Sequence, residues 1–137
     1  MTNKILVASI IAGFAALLAI PTGISYAGVG LCGLSPITGT DLVDKLVGTN
    51  GDECIIAYNG DDSIRALDGN DVIYPGRGAD TVNAGKGNDS IDLAVTETVL
   101  IPDGAIDKVN CGAGTDTVYH ADVNDVFHGC EDVNYGP

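Results

Sequence analysis

The sequence predicts an all-β fold: a right-handed parallel β-roll, or solenoid, built from nine-residue repeats with eighteen residues per coil. Three observations predict it: a Gly/Asp-rich period of nine, an aliphatic residue kept at one position of each repeat, and a scarcity of large side chains. The 137 residues include 19 glycines, two phenylalanines and no tryptophan. Packing of large aromatic side chains is therefore not expected to be the main source of stability.

The repeat is clearest from Gly48 to Asp92, where five consecutive blocks read GTNGDECII, AYNGDDSIR, ALDGNDVIY, PGRGADTVN and AGKGNDSID. The fourth position is always glycine: Gly51, Gly60, Gly69, Gly78 and Gly87. The sixth position is always acidic: Glu53, Asp62, Asp71, Asp80 and Asp89. The eighth position is always a branched aliphatic residue: Ile55, Ile64, Ile73, Val82 and Ile91. A flexible Gly-rich linker has no reason to keep an aliphatic residue at every ninth place.

Each of the three positions has a physical role in a roll. The sixth and eighth residues lie two apart in a short strand, so their side chains share one face. Glycine before the strand permits the backbone conformation of a tight turn. One loop and one short strand make half a coil, and two blocks bring the chain back above itself.

The same register extends over ten blocks, from Gly39 to His128. The block Leu93 to Ile101 has no glycine or aspartate, and we predict that it nevertheless keeps the register of the roll. The sixth-position residues then form two columns, one along each edge of the roll. The first column is predicted to contain Asp44, Asp62, Asp80, Thr98 and Asp116. The second is predicted to contain Glu53, Asp71, Asp89, Asp107 and Asp125.

The blocks PGRGADTVN and AGKGNDSID resemble the nonapeptide G-G-x-G-x-D-x-U-x of the RTX, or haemolysin-type, calcium-binding family. The resemblance is good over Gly48 to Asp92 and looser over about ninety residues. It implies that the sixth-position carboxylates and the carbonyls of the glycine loops bind Ca²⁺ between neighbouring coils. The large toxins and proteases of the family carry a further domain for which this chain has no room, so their activities are not implied.

Electrostatics also favours a cation between the coils. Two carboxylates about 4.8 Å apart repel each other by about 3.5 kcal/mol at an effective dielectric constant of about 20. Ca²⁺ accepts several oxygen ligands in a flexible geometry, whereas Mg²⁺ requires a tighter octahedron. The best-formed predicted pairs are Asp62/Asp80 and Asp71/Asp89, followed by Glu53/Asp71. We therefore predict about three calcium ions. Asp89/Asp107 is a weaker candidate because Ala105 replaces the fourth-position glycine.

The N-terminal segment is predicted to be a signal peptide. Lys4 precedes an uncharged apolar run of sixteen residues, and Ser25-Tyr26-Ala27 offers small residues where a signal peptidase cleaves. The run is shorter than the roughly 20 residues that span a bilayer, so an uncleaved anchor is the less favoured alternative. The predicted organisation is a signal helix over 1–27, an N-terminal cap over 28–47, clear repeats over 48–92, and degenerate repeats with a C-terminal cap over 93–137.

Export places the four cysteines in an oxidising compartment. Their even number indicates two disulfides with three possible connectivities, and the local pairs Cys32–Cys54 and Cys111–Cys130 would close the two ends of the repeat region. A zinc site formed by Cys111, Cys130, His120 and His128 is the competing interpretation. It lacks the C-x-x-C pair that would support it.

The net charge and the absence of catalytic motifs reduce the number of function classes to be considered. After residue 27, five basic residues stand against nineteen acidic ones, which leaves a net charge of −14 and favours cations over nucleic acid or anionic membranes as partners. H-E-x-x-H and G-x-S-x-G motifs are absent, so an enzyme is not expected. Two hypotheses remain: a secreted calcium-binding protein that folds with its metal, or a disulfide-stapled structural or adhesive protein in which calcium is incidental. The sequence does not identify a protein or surface partner.

Overall fold

The computed structural model describes residues 35–94 and 103–136, and within these ranges the chain forms short β-strands without helices. The predicted signal helix lies outside the described residues. No candidate for a membrane-spanning helix is found in the described ranges. The strands are β1 (Ile37–Thr38), β2 (Lys45–Val47), β3 (Cys54–Ile56), β4 (Ser63–Asp68), β5 (Val72–Tyr74), β6 (Thr81–Lys86), β7 (Ser90–Asp92), β8 (Lys108–Ala113), β9 (Thr117–Ala121), β10 (Val126–His128) and β11 (Asp132–Tyr135).

The strands alternate between two parallel sheets, which we call the odd sheet and the even sheet after the strand numbers. The odd sheet has the order β1-β3-β5-β7-β9-β11, and the even sheet has the order β2-β4-β6-β8-β10. Ile55 is in register with Ile73 in the odd sheet, and Leu46 is in register with Ile64 in the even sheet. Both pairs are eighteen residues apart. The predicted parallel β-roll with eighteen residues per coil is therefore confirmed.

The core is a narrow stack of eighth-position aliphatic side chains between the two sheets. Strand alternation directs these side chains inward, and the residues on either side of them face outward. Alanine at the first position of several blocks is fully buried as well, as at Ala57, Ala66 and Ala84. Small residues there let the loops turn closely around the interior. The core residues include Leu46, Ile55, Ile64, Ile73, Val82, Ile91, Val109 and Val118.

The register changes between β7 and β8. Val82 is in register with Val109, and Ile91 is in register with Val118, so equivalent residues are here 27 rather than eighteen apart. One block of nine is therefore left out of the stacked coils, and the prediction that Leu93–Ile101 keeps the register is wrong. The physical reason is its composition: it has neither the glycines that form the turns nor an aspartate at the sixth position.

Leu93 still belongs to the roll. It is 2% exposed, and its N–H donates to the carbonyl of Tyr119 at 3.0 Å. Residues 95–102 lie outside the described ranges, and the chain rejoins the even sheet at β8. The remaining part of the predicted degenerate region continues both sheets through β8 to β11.

The last coil is shorter and is closed by a disulfide. Val118 is in register with Val133, only fifteen residues further on. Cys111 and Cys130 form a disulfide with their Cα atoms 5.1 Å apart, as predicted for this pair. The zinc interpretation fails because the two sulfur atoms are bonded to each other. The predicted Cys32–Cys54 pair includes a residue outside the described ranges and stays a prediction.

The second position of the four blocks from Ala57 to Asp92 adopts a positive φ angle whether or not it is glycine. Gly76 and Gly85 have φ values of 99° and 119°, and Leu67 takes 90° in the same place. Side chains with a β-carbon rarely adopt this conformation, because the left-handed region costs about 1–2 kcal/mol per residue. Leu67 is therefore held in its turn by the coils above and below it.

Leu67→Gly is expected to give a more stable protein than Leu67→Ala, by about 1 kcal/mol. Both changes remove the half-buried leucine side chain, but only glycine relieves the backbone strain. The free energies of unfolding of the two variants, from urea denaturation in saturating calcium, measure the difference. An alanine variant at least as stable as the glycine variant would show that the turn is not strained.

Candidate metal centre

Acidic residues stand in two columns, one on each edge of the roll; each directly precedes a strand, and all but Glu131 are at the sixth position of a block. The column before the even strands, called the even column, contains Asp44, Asp62, Asp80, Asp107 and Asp125. The column before the odd strands, called the odd column, contains Glu53, Asp71, Asp89, Asp116 and Glu131. Both columns follow from the parallel register, since successive coils place equivalent residues above one another.

Hydrogen bonds from backbone N–H groups hold these carboxylates at the edge of the core. In each column, the N–H of a sixth-position residue donates to the carboxylate one coil further along. The N–H of Asp62 donates to Oδ1 of Asp80 at 2.7 Å, and the N–H of Asp71 donates to Oδ1 of Asp89 at 2.9 Å. The side chain of each aspartate thus points along the stack, towards the preceding coil.

The second carboxylate oxygen of these residues is buried and has no hydrogen-bond partner. Among the described residues this applies to Oδ2 of Asp62, Asp71, Asp80, Asp89 and Asp116. The five residues are between 0% and 3% exposed. A buried ionised oxygen without a partner costs several kcal/mol, so the arrangement calls for a cation or a proton at each position.

The cost of burying these carboxylates raises their pKa values. Burial raises the pKa of Asp80 to about 7; the nearby carboxylate of Asp107 adds to the rise, and the hydrogen bond from the Asp62 N–H opposes it. Burial likewise raises the pKa of Asp107 to about 7 and that of Asp71 to about 6. The pKa values of Asp62, Asp89 and Asp125 are also raised by burial. Without a cation, the carboxyl groups of Asp80 and Asp107 therefore take up protons near neutral pH.

The glycine loops supply the backbone part of the site. A β-carbon placed on Gly87 would lie 1.8 Å from the carbonyl oxygen of Gly69, and one placed on Gly78 would lie 2.2 Å from the carbonyl oxygen of Gly60. The carbonyl of each loop thus faces the loop of the next coil at a distance that only glycine allows. Gly51 is related to Gly69 in the same way. All five predicted loop glycines therefore take part in this stacking.

The omitted block changes which carboxylates are neighbours. Asp107 lies beside Asp80 in the even column, so the predicted Asp89/Asp107 pair is wrong. Asp116 is the true neighbour of Asp89 and is not isolated, because its Oδ1 accepts the N–H of Asp89 at 2.8 Å. Asp125 also moves to the even column. The pairs Asp62/Asp80, Asp71/Asp89 and Glu53/Asp71 are adjacent as predicted.

Sequence reasoning missed a second ladder, formed by fifth-position side chains. Oδ1 of Asp52 accepts the N–H of Asn70, Oδ1 of Asn70 accepts the N–H of Asn88, and Oδ1 of Asn88 accepts the N–H of Thr115. The signal was the recurrence of Asp or Asn directly before the sixth position. Gly114 was missed too, although the block CGAGTDTVY has the full glycine and aspartate pattern.

The first coil is capped by its own side chains. Asp44 accepts hydrogen bonds from the N–H and the hydroxyl of Thr40, at 2.6 and 2.9 Å. Glu53 accepts the N–H of Thr49 at 2.9 Å and also the Thr49 hydroxyl. These two carboxylates are satisfied within their own loops and differ in this respect from the interior aspartates.

The chemistry of the donors fits calcium better than a transition metal. The described residues contain no group of three or more His, Cys, Asp or Glu side chains that could bind one ion. A metal here must therefore take backbone carbonyls as ligands beside a carboxylate oxygen, which suits Ca²⁺. The unpaired oxygens and the glycine carbonyls lie in the same loops, so the residues present fit such an ion.

Residues 38–91 match the family model of the RTX calcium-binding nonapeptide repeat (4 copies) over three overlapping stretches, 38–73, 47–82 and 56–91. Residues 38–91 consist of RTX calcium-binding repeats. The match ends at Ile91, just before the omitted block, while the roll itself continues through β8 to β11. No curated protein and no solved structure matches the chain significantly. RTX repeats bind calcium ions, so this β-roll is a structural calcium-binding fold.

Proposed function

We propose that this chain is a secreted protein whose roll binds several Ca²⁺ ions between its coils, and that calcium drives or completes its folding. The observation that carries the proposal is the set of five buried carboxylate oxygens without hydrogen-bond partners. Calcium at these oxygens offsets both the cost of burying charge and the repulsion between successive carboxylates. The proposed role is binding and not catalysis.

The proposed ligands are the sixth-position carboxylates together with the carbonyls of the loop glycines. On the odd edge they come from Asp71, Asp89 and Asp116, and on the even edge from Asp62, Asp80 and Asp107. One ion for each unpaired oxygen raises the expected number from about three to five. Glu53 is a weaker candidate because its carboxylate already accepts two hydrogen bonds from Thr49.

Secretion is proposed on two grounds: the leader-like segment at 1–27, and the calcium affinity that is typical of extracellular calcium-binding modules. Extracellular calcium modules bind in the range of about 10⁻⁴ to 10⁻³ M, which suits the calcium concentration outside cells. The disulfide between Cys111 and Cys130 is consistent with an oxidising compartment. A chain that remains loose before export and folds on meeting calcium would combine these properties.

Calorimetric titration of the metal-free protein with calcium tests the proposal on Asp71→Asn. Asp71 lies between the coils of Glu53 and Asp89, so loss of its charge is expected to remove at least one equivalent of bound calcium. Asparagine can still accept the N–H of Glu53, which preserves the ladder. The matched control is Asp68→Asn, because Asp68 is exposed and paired with Lys86 at 2.9 Å.

The control variant is expected to bind as many ions as the unaltered protein. If Asp71→Asn also binds the full number, calcium is not held between the coils and the proposed sites are wrong. The experiment uses the disulfide-bonded protein, so the last coil remains closed in both variants.

The structural or adhesive alternative is favoured by one observation, the disulfide that closes the last coil independently of any metal. Far-ultraviolet circular dichroism of chelated protein distinguishes the two functions. A large gain of strand signal on adding millimolar calcium supports the calcium-dependent roll. A spectrum already rich in strand, unchanged by calcium, supports the structural alternative.

A further inference from the structure

The outward face of the even sheet differs in charge from the rest of the molecule. Ten residues of β2, β4, β6, β8 and β10 alternate with the buried core positions, and all ten are exposed. They are residues 45, 47, 63, 65, 81, 83, 108, 110, 126 and 128. None of them is acidic. Lys45, Arg65 and Lys108 are among them, which are three of the five Lys and Arg residues in the described ranges.

These three cations are available for an external partner. No carboxylate of the described residues lies within ion-pair distance of Lys45, Arg65 or Lys108, whereas Lys86, at the end of β6 where the strand meets a loop, is paired with Asp68. The side chains between the cations in the register are hydroxyls and amides, such as Ser63, Thr81 and Asn83. The face therefore combines separated positive charges with many neutral hydrogen-bonding groups.

The face is also long enough for a short stretch of a linear polymer. Its rows cross five strands in register, which at about 4.8 Å per strand extends over about 19 Å. Lys45 and Lys108 are in the same row and three strands apart, while Arg65 is in the parallel row. A chain of sugar rings along the rows would meet a cation at intervals and polar side chains in between.

We propose that the outward face of the even sheet binds an anionic polysaccharide. Such a polymer has well-separated carboxylate or sulfate groups joined by hydroxyl-rich rings, and both features have counterparts on this face. A nucleic acid strand carries a phosphate about every 3.4 Å, a spacing that three well-separated cations do not match. A protein partner normally needs aromatic anchors, and an anionic membrane needs denser basic clusters or apolar wedges.

Binding of fluorescently labelled chondroitin sulfate, measured by anisotropy in saturating calcium, tests the inference. The double variant Arg65→Gln/Lys108→Gln removes one arginine and one lysine from the face. The control Arg77→Gln/Lys86→Gln removes the same residue types, and therefore the same net charge, from the loop edges. The first variant is expected to bind about tenfold more weakly, and the control to change by less than about twofold.

The salt dependence gives a second readout. The slope of log affinity against log salt is expected to fall by about 1.4 in the face variant, which corresponds to two lost ionic contacts on a single-stranded polyanion. Hyaluronate, which carries carboxylates alone, distinguishes recognition of carboxylate from recognition of sulfate. Binding to either polymer but not to neutral dextran supports the inference.

Several results would overturn it. These are absence of binding to both anionic polymers, equal losses in the two double variants, equal binding to dextran, or tighter binding to a DNA oligonucleotide or to phosphatidylglycerol vesicles. Calcium stoichiometry and circular dichroism of both variants are expected to match the unaltered protein, since no altered residue belongs to the carboxylate columns. A failure of polysaccharide binding is thereby distinguished from a failure of calcium binding.

Discussion

Replacing Gly87 with alanine is expected to destabilise the middle of the roll by about 3–5 kcal/mol. The new β-carbon would lie 1.8 Å from the carbonyl oxygen of Gly69, and the φ angle of 130° is unfavourable for any residue with a side chain. The two coils must therefore move apart. Because the carbonyl of Gly69 faces the proposed site, calcium affinity on the odd edge is expected to fall together with stability.

Gly104→Ala is the matched control for this change. Gly104 also has a positive φ angle, 80°, but nothing lies within 4 Å of the position that its β-carbon would occupy. Backbone strain alone then predicts a loss of about 1 kcal/mol. Urea denaturation of both variants in saturating calcium gives the two free energies of unfolding. Similar losses for the two glycines would show that close contact between the coils is unimportant.

The stability of the roll is expected to respond to pH in opposite directions with and without calcium. In the metal-free protein the folded-state pKa values of Asp71, Asp80 and Asp107, about 6 to 7, exceed the ordinary value of 3.8. Folding therefore takes up protons, and the stability gained from the protonated carboxyls is lost as the pH rises through this range. Calcium requires the ionised carboxylates, so its stabilising effect grows over the same range.

The effect should be large enough to measure by thermal denaturation. At pH 5, about 2 pH units below the folded-state pKa of Asp80, that carboxyl alone contributes on the order of 3 kcal/mol to the metal-free protein. The melting temperature of metal-free protein is thus expected to fall from pH 5 to pH 8. In millimolar calcium it is expected to rise.

Asp80→Asn separates this explanation from a general effect of net charge. The variant keeps an acceptor for the Asp62 N–H but has no proton to gain, so its metal-free stability should depend less on pH. Asp68→Asn, at an exposed position, should retain the full dependence. If both variants behave like the unaltered protein, the buried carboxyls do not govern the pH response.

The fold could be predicted from the sequence because each nine-residue repeat corresponds to half a coil of the roll. The aliphatic residue at the eighth position of each block can be buried only if each block contributes one strand, so Ile55, Ile64 and Ile73 together indicate two sheets and eighteen residues per coil. The conformation of Tyr58 and Leu67 could not be predicted in this way. Both adopt the positive φ of a glycine because the neighbouring coils impose it, which is a tertiary effect.

The candidate site was predicted well where the repeats are regular and badly beyond them. Asp62, Asp71, Asp80 and Asp89 lie in the predicted columns, but Asp107 and Asp116 exchanged edges. Counting the sequence in blocks of nine assigns every block a place in the stack. The block Leu93–Ile101 has an aliphatic residue at its eighth position, so the count did not show that it is omitted. Whether a block joins the roll depends on its turn residues, and that block has neither a glycine nor a sixth-position aspartate. The turn pattern was thus the better indicator of neighbours than the hydrophobic one.

The exchange of edges shows how the roll tolerates a change in chain length. The chain re-enters the even sheet with Val82 in register with Val109, so its inward and outward side chains are unaltered. Neither sheet imposes a length on the connection between residues 94 and 103, provided that its ends reach β7 and β8. Foreign segments grafted there should leave the coils on either side intact.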